Sequence, residues 1–118
     1  MDTIQESDKI VLPASRGFEV FVFDDIIRLE AQGCYTIVIV KDEKNKVISR
    51  TLKDFEDTLP KDKFFRIHKS HLINLKHIKD YSNLSGNIVT MTDGSKIDIS
   101  RRRTPAFIRK IKTALKAV

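Results

Sequence analysis

Short apolar runs with a period of two dominate this chain, and they constrain its fold more than any other feature. Alternation places every second side chain on one face of a strand, so one face is buried and the other meets water. "KIVLP" (Lys9–Pro13) is the first run, stopped by Pro13. "FEVFVF" (Phe18–Phe23) puts Phe18, Val20 and Val22 on one face. "IIRLE" (Ile26–Glu30) and "YTIVIVK" (Tyr35–Lys41) follow, split by the breaker "QGC" at Gln32–Cys34. "KVISR" (Lys46–Arg50) comes next, with "EKN" as the turn before it. Runs rich in Val, Ile, Phe and Tyr, punctuated by Gly, Pro, Asn and Asp, read as strands.

The period changes once before the end of the chain. In "TLKDFEDTLP", Leu52, Phe55 and Leu59 are three and four apart, which is one face of a short helix. Thr51 is its expected N-cap, Asp54 completes a capping box, and Pro60 ends it. Strand pattern resumes in "KFFRIH" and, less cleanly, in "HLINLKHI". "NIVTMT" and "KIDIS" flank "DGS", a hairpin signal, and "SNLSGN" before them reads as a loop. The tail "TPAFIRKIKTALK" reads as a helix capped by Thr104, with Pro105 at its first position and Phe107, Ile108, Ile111 and Leu115 on the apolar face. The expected fold is mostly β: small antiparallel sheets with a short central helix and a C-terminal helix.

Several chemistries are disfavoured. A single cysteine, Cys34, allows no intrachain disulfide, which suits a reducing compartment. "IVIV" is far too short to span a bilayer, and "MDTIQESDK" is polar and acidic, unlike a signal peptide, so a cytoplasmic location is expected. His68 and His71 are three apart, and in a strand such residues point to opposite faces, which argues against a metal site. No nucleophile-elbow motif or Gly-rich phosphate loop occurs, and the chain has only 4 glycines, so neither an enzyme nor a bound cofactor is expected.

Charge points the other way. Residues 1–60 carry 8 Lys and Arg against 12 Asp and Glu, a net of −4. Residues 61–118 carry 14 against 4, a net of +10. A basic half of this kind suits a polyanion. "SRRRTP" places Arg101, Arg102 and Arg103 between the last strand and the last helix, where they could donate to phosphate or to the O6/N7 edge of guanine. Lys63, Arg66, Lys69, Lys76 and Lys79 add charge nearby in sequence. Aromatics are not interleaved with these cations as in a base-stacking RNA module, which favours duplex DNA. No helix-turn-helix is evident, so loops are expected to enter the grooves. A β-sheet module that binds a protein, or RNA without base specificity, is the alternative.

"FFRIHKSHLINLKHI" followed by "TDGSKIDISRRR" resembles the LytTR DNA-binding domain of bacterial response regulators. The upstream "DDIIRLEAQGCYTIVIV" and "FEDTLPKDKFFRIH" are similar to that family too, so the resemblance runs from about Ile10 to Leu115. It implies an elongated domain of small antiparallel sheets that regulates transcription. The domain would bind promoter DNA at imperfect direct repeats, with loops in successive major grooves. By this resemblance Gln32, Tyr35 and Thr36 belong to the first contacting loop. Lys69 stands at the variable DNA-facing position of the second, with His68, Ser70 and Asn74 matching the motif and Arg66 at its phosphate-facing end. Arg102 matches the arginine that reaches bases, with Arg101 and Arg103 on phosphates. His71 stands where the family has an aromatic, often Tyr. The resemblance also implies a two-component context: a receiver domain in cis or a sensor kinase upstream, and a monomer in isolation or a dimer on DNA. Residues 1–8 are expected to be an acidic flexible start or linker remnant, and 9–118 the domain.

Overall fold

The computed structural model describes residues 8–118. Of the acidic stretch expected at residues 1–8, only Asp8 falls among them. The strands form ten elements in chain order: β1 (Lys9–Ala14), β2 (Gly17–Val22), β3 (Ile26–Gln32), β4 (Tyr35–Val40), β5 (Lys46–Ile48), β6 (Phe64–His68), β7 (His71–Asn74), β8 (Ile78–Ser82), β9 (Ile88–Met91) and β10 (Lys96–Asp98). Helix α1 (Leu52–Thr58) lies between β5 and β6, and α2 (Thr104–Ala114) closes the chain.

A five-stranded sheet, ordered β5-β4-β3-β7-β6, is the middle layer. All of its pairings are antiparallel. Both of its faces are buried. Leu29, Val38 and Leu72 pack with the β1–β2 hairpin (Ile10, Leu12, Phe21) and α1 (Leu52, Phe55). Ile27, Ile39 and Ile73 pack on the other side with β9 and β10 (Val89, Met91, Ile97) and with Phe107 of α2. That explains why "HLIN" alternates poorly. Leu72 and Ile73 are adjacent and both buried, each in a different core, as in any strand covered twice. The second cover is the three-stranded sheet β10-β9-β8. The result is a slab of 46 × 42 × 25 Å, long in two directions and thin in the third.

Local chemistry accounts for most boundaries. α1 starts at a full capping box: the Asp54 N–H donates to Thr51 Oγ1 at 3.2 Å and the Thr51 N–H donates to Asp54 Oδ2 at 3.3 Å. Phe18, Val20 and Val22 do share a face of β2, but it is the solvent face, and Phe21 faces the core.

Three expectations change. Thr104 does not cap α2; it is already helical (φ −59°, ψ −47°) because a 3₁₀ turn at Arg101–Arg103 runs straight into the helix, and its hydroxyl donates back to Ser100 O at 3.1 Å. Leu115 falls beyond the helix and is 43% exposed, whereas Phe107 is fully buried. The segment after "HLIN" is a 3₁₀ turn (Leu75–His77) leading into β8, a strand hidden by a bulge between Ile78 and Asp80 that breaks its alternation.

Candidate nucleic-acid interface

The register of the middle sheet decides which loops meet. β3 pairs with β7 through Glu30↔His71, so the β3–β4 turn and the β6–β7 turn project from the same end. They are joined there by the Ala31 N–H, which donates to Ser70 O at 2.9 Å. The third segment is tied to the same end of β6. The Ser100 N–H donates to Ile67 O at 2.9 Å, and Arg103 Nη1 donates to Arg66 O at 3.2 Å. Three loops far apart in sequence are thus one surface.

In the first loop, Gln32 pairs with Tyr35 across a turn at Gly33 and Cys34, and all four side chains or backbones are exposed. Gly33 has φ +57°, a left-handed conformation that favours glycine. Thr36 does not join them. It is completely buried and its hydroxyl donates to Arg50 O at 2.7 Å, so it fastens β4 to the chain before α1 and has no surface to offer.

In the second loop, Lys69 is exposed at the apex and Ser70 is half-buried behind it. His68 Nδ1 accepts the Ser70 N–H at 3.0 Å, which puts the proton of a neutral ring on Nε2. Arg66 is spent on the turn itself. Its Nε donates to His68 O at 3.1 Å, its Nη2 donates to Lys69 O, and its Nη1 pairs with Glu56 Oε1 at 2.9 Å. With its side chain 15% exposed and all three nitrogens engaged, Arg66 braces the loop from behind, in place of the phosphate-facing role expected of it. Glu56, the carboxylate that holds this brace, carries no sequence signal; it looks like any exposed residue of a short helix.

In the third segment Arg101 and Arg102 are exposed and Arg103 is half-buried. None of these three, nor Lys69, has a carboxylate partner among the described residues. Lys76 and Lys63 instead pair with Asp24 (2.7 Å) and Asp8 (3.9 Å) near the far end of the slab.

Asn74 is also inside the fold. It is 2% exposed, its Nδ2 donates to Phe23 O at 3.1 Å and Ile26 O at 2.9 Å, and its Oδ1 accepts the Lys76 N–H at 2.9 Å. His68 and His71 do not point to opposite faces of one strand as their spacing suggested: they lie on β6 and β7 and pair across the turn, and His77 stands apart from both. His77 bonds Thr92 Oγ1 at 2.9 Å and Asp24 O at 2.6 Å. The His71 ring lies 5.3 Å from that of His68, and its Nδ1 is buried without a partner. Burial holds the His71 pKa below the usual histidine value; Glu30 opposes this and His68 adds to it. No cluster of three or more His, Cys, Asp or Glu able to hold a metal occurs among the described residues. Nor is any helix among them long and apolar enough to cross a membrane.

The surface is therefore an end of a β slab with unpaired cations, a tyrosine, a glutamine and a short histidine-backed turn. That combination can donate to phosphates and to base edges. Comparison with known proteins points the same way. The family model described as "LytTr DNA-binding domain" matches residues 17–112. A solved structure from Bacillus cereus, a LytTr DNA-binding domain of a methyl-accepting/DNA response regulator, superposes with a TM-score of 0.74 at 27% identity, covering 88% of this chain and 96% of that one. Sensory transduction protein LytT of Bacillus anthracis is 30% identical over 85% of this chain and 41% of its own length. The heme-containing CO-sensing transcriptional regulator RcoM 2 of Paraburkholderia xenovorans is 29% identical over 79% of this chain and 36% of its own. The chain thus spans less than half the length of these curated relatives.

Proposed function

The chain belongs to the LytTR DNA-binding domain family, and from that premise we propose that it recognises a specific duplex sequence with the three loops at one end of its slab. Its role is DNA binding in transcription regulation. In the finer reading, the β3–β4 turn and the Lys69 turn enter neighbouring major grooves of a direct-repeat promoter site in the cytoplasm. Gln32, Tyr35, Lys69 and Arg102 reach base edges, and Arg101, Arg103, Ser70 and His68 Nε2 hold phosphates. A receiver domain in cis or a sensor kinase upstream would control it, with two copies filling paired sites.

The observation that carries this reading is the set of unpaired cations, Lys69 and Arg101–Arg103, on loops tied together by Ala31–Ser70 and Arg103–Arg66 hydrogen bonds. Lys63 and Lys76, near the other end, are instead paired with Asp8 and Asp24. Arg102→Ala tests the assignment. It should lose about 1–3 kcal/mol of discrimination at one or two base pairs and little elsewhere. Equal weakening on every sequence would make Arg102 a phosphate clamp, and no effect at all would remove this end from the interface.

A further inference from the structure

A cavity of about 280 Å³ opens on the outer edge of β6, between α1 and the start of α2. Leu59, Phe64, Phe65 and Leu72 form an apolar floor, and Arg103 and Lys110 stand on the rim. The rim charges are unequal in their availability. Arg66 also reaches the cavity, but its charge is met by Glu56 at 2.9 Å. Lys61 donates to Glu56 O at 3.0 Å. The Arg103 guanidinium makes only its bond to Arg66 O, and the Lys110 ammonium has no partner among the described residues. Three cations without a carboxylate partner among the described residues, Arg103, Lys110 and Lys61, around a hydrophobic floor complement one kind of ligand: an anion with an apolar body. A volume near the lower end of ligand sites, about 300 Å³, limits that body to one or two rings or a short acyl chain.

We propose that this cavity is an effector site for a small amphipathic carboxylate, and that its occupancy lowers DNA affinity. The carboxylate lies between Arg103 and Lys110, and the apolar body covers Phe64 and Leu72. The coupling follows from shared groups. Arg103 is one of the cations assigned to phosphate, so a bound carboxylate neutralises it. The same contact competes with the Arg103–Arg66 O bond, and Arg66 in turn holds the carbonyls of His68 and Lys69. This regulatory half rests on the DNA-binding reading above; the site itself does not.

The first test is free of DNA. Naphthoate, with roughly thirteen heavy atoms at about 0.3 kcal/mol each, should bind with a Kd of about 1 mM. Its titration, followed by proton–nitrogen correlation spectra, should saturate and shift the amides of Phe64, Phe65, Arg103 and Lys110, with Lys69 and Ser70 following. The neutral isostere naphthamide should bind at least about fivefold more weakly, and so should naphthoate to Lys110→Ala, whose ammonium makes no hydrogen bond or ion pair among the described residues. Naphthamide binding as tightly, shifts that map elsewhere, or an unchanged Kd for Lys110→Ala would each overturn the site. In a DNA titration, saturating naphthoate should raise the duplex Kd at least about fivefold, and by linkage bound DNA should weaken naphthoate by the same factor. A site that fills while the DNA Kd stays fixed overturns the regulatory half alone. A domain that binds naphthoate but no DNA overturns the proposed function and leaves the cavity assignment standing.

Discussion

Replacing Asn74 with alanine separates a structural role from a DNA contact. Its Nδ2 donates to two carbonyls, Phe23 O and Ile26 O, at either end of a 3₁₀ turn (Phe23–Asp25) that leads into β3, and its Oδ1 caps the turn at Leu75–His77. Asn74→Ala deletes three hydrogen bonds at about 1 kcal/mol each, with Phe23 O keeping only its bond from the Ile26 N–H, for a loss of about 3 kcal/mol. With an unfolding entropy of about 2.1 cal/mol/K per residue, a chain of 118 residues should drop in Tm by about 12 °C. Asn74→Asp should be worse, because it turns a carboxylate toward two carbonyl oxygens. The assay is a thermal melt by circular dichroism, paired with DNA titration at a temperature where the variant is fully folded. The expected pair of results is a large fall in Tm with near-normal affinity. An unchanged Tm with lost affinity would place Asn74 on the DNA and refute the reasoning.

Three further outcomes follow from the same contacts. Arg66→Ala should cost about 2 kcal/mol and raise hydrogen exchange at the Lys69–Ser70 turn; exchange changed only elsewhere would mean that Arg66 is not the brace. His71 sits among Glu30, His68, Arg28 and Asp98 with a pKa lowered chiefly by burial. Its folded state therefore binds a proton less readily than its unfolded state, so stability present above the unfolded pKa of about 6.5 is lost as pH falls below it. His71→Phe should shrink the difference in Tm between about pH 7.5 and about pH 5.5, and an undiminished difference would locate the acid sensitivity in another group. Gly33→Ala should cost about 1 kcal/mol from backbone strain alone, since an added Cβ meets nothing within 4 Å; a neutral change would mean that the turn relaxes.

The strands were legible by alternation where one face is buried and the other wet, as in β1, β2 and β10. β3, β4 and β9 show instead as dense β-rich runs bounded by turn residues, and α1 by Leu52, Phe55 and the Thr51–Asp54 box. Legibility fails where neither signal is clean. β8 is bulged at Lys79, and β7 is buried on both sides. Asn74 and Thr36 could not be told from surface polar residues, because their burial depends on carbonyls supplied from residues 23, 26 and 50. The candidate surface showed in the sequence as three cationic or polar loops, but their union did not. It rests on the Glu30↔His71 register and on the Ser100–Ile67 hydrogen bond, which join segments more than thirty residues apart. The brace from Glu56 through Arg66 to the Lys69 turn is tertiary in the same sense.

The central claim is that the loop end of the slab reads a duplex sequence. The direct test is a titration of a duplex selected by the domain from a random pool, at several salt concentrations, against a scrambled duplex of equal composition. The account predicts at least about 10³-fold preference for the selected site. It also predicts a slope of log K against log salt near −2 if Arg101 and Arg103 each hold a phosphate, and Arg102→Ala should cut the preference by about 5- to 150-fold without changing that slope. Equal affinity for both duplexes, with the full salt slope retained, would contradict it and leave only a basic surface for polyanions.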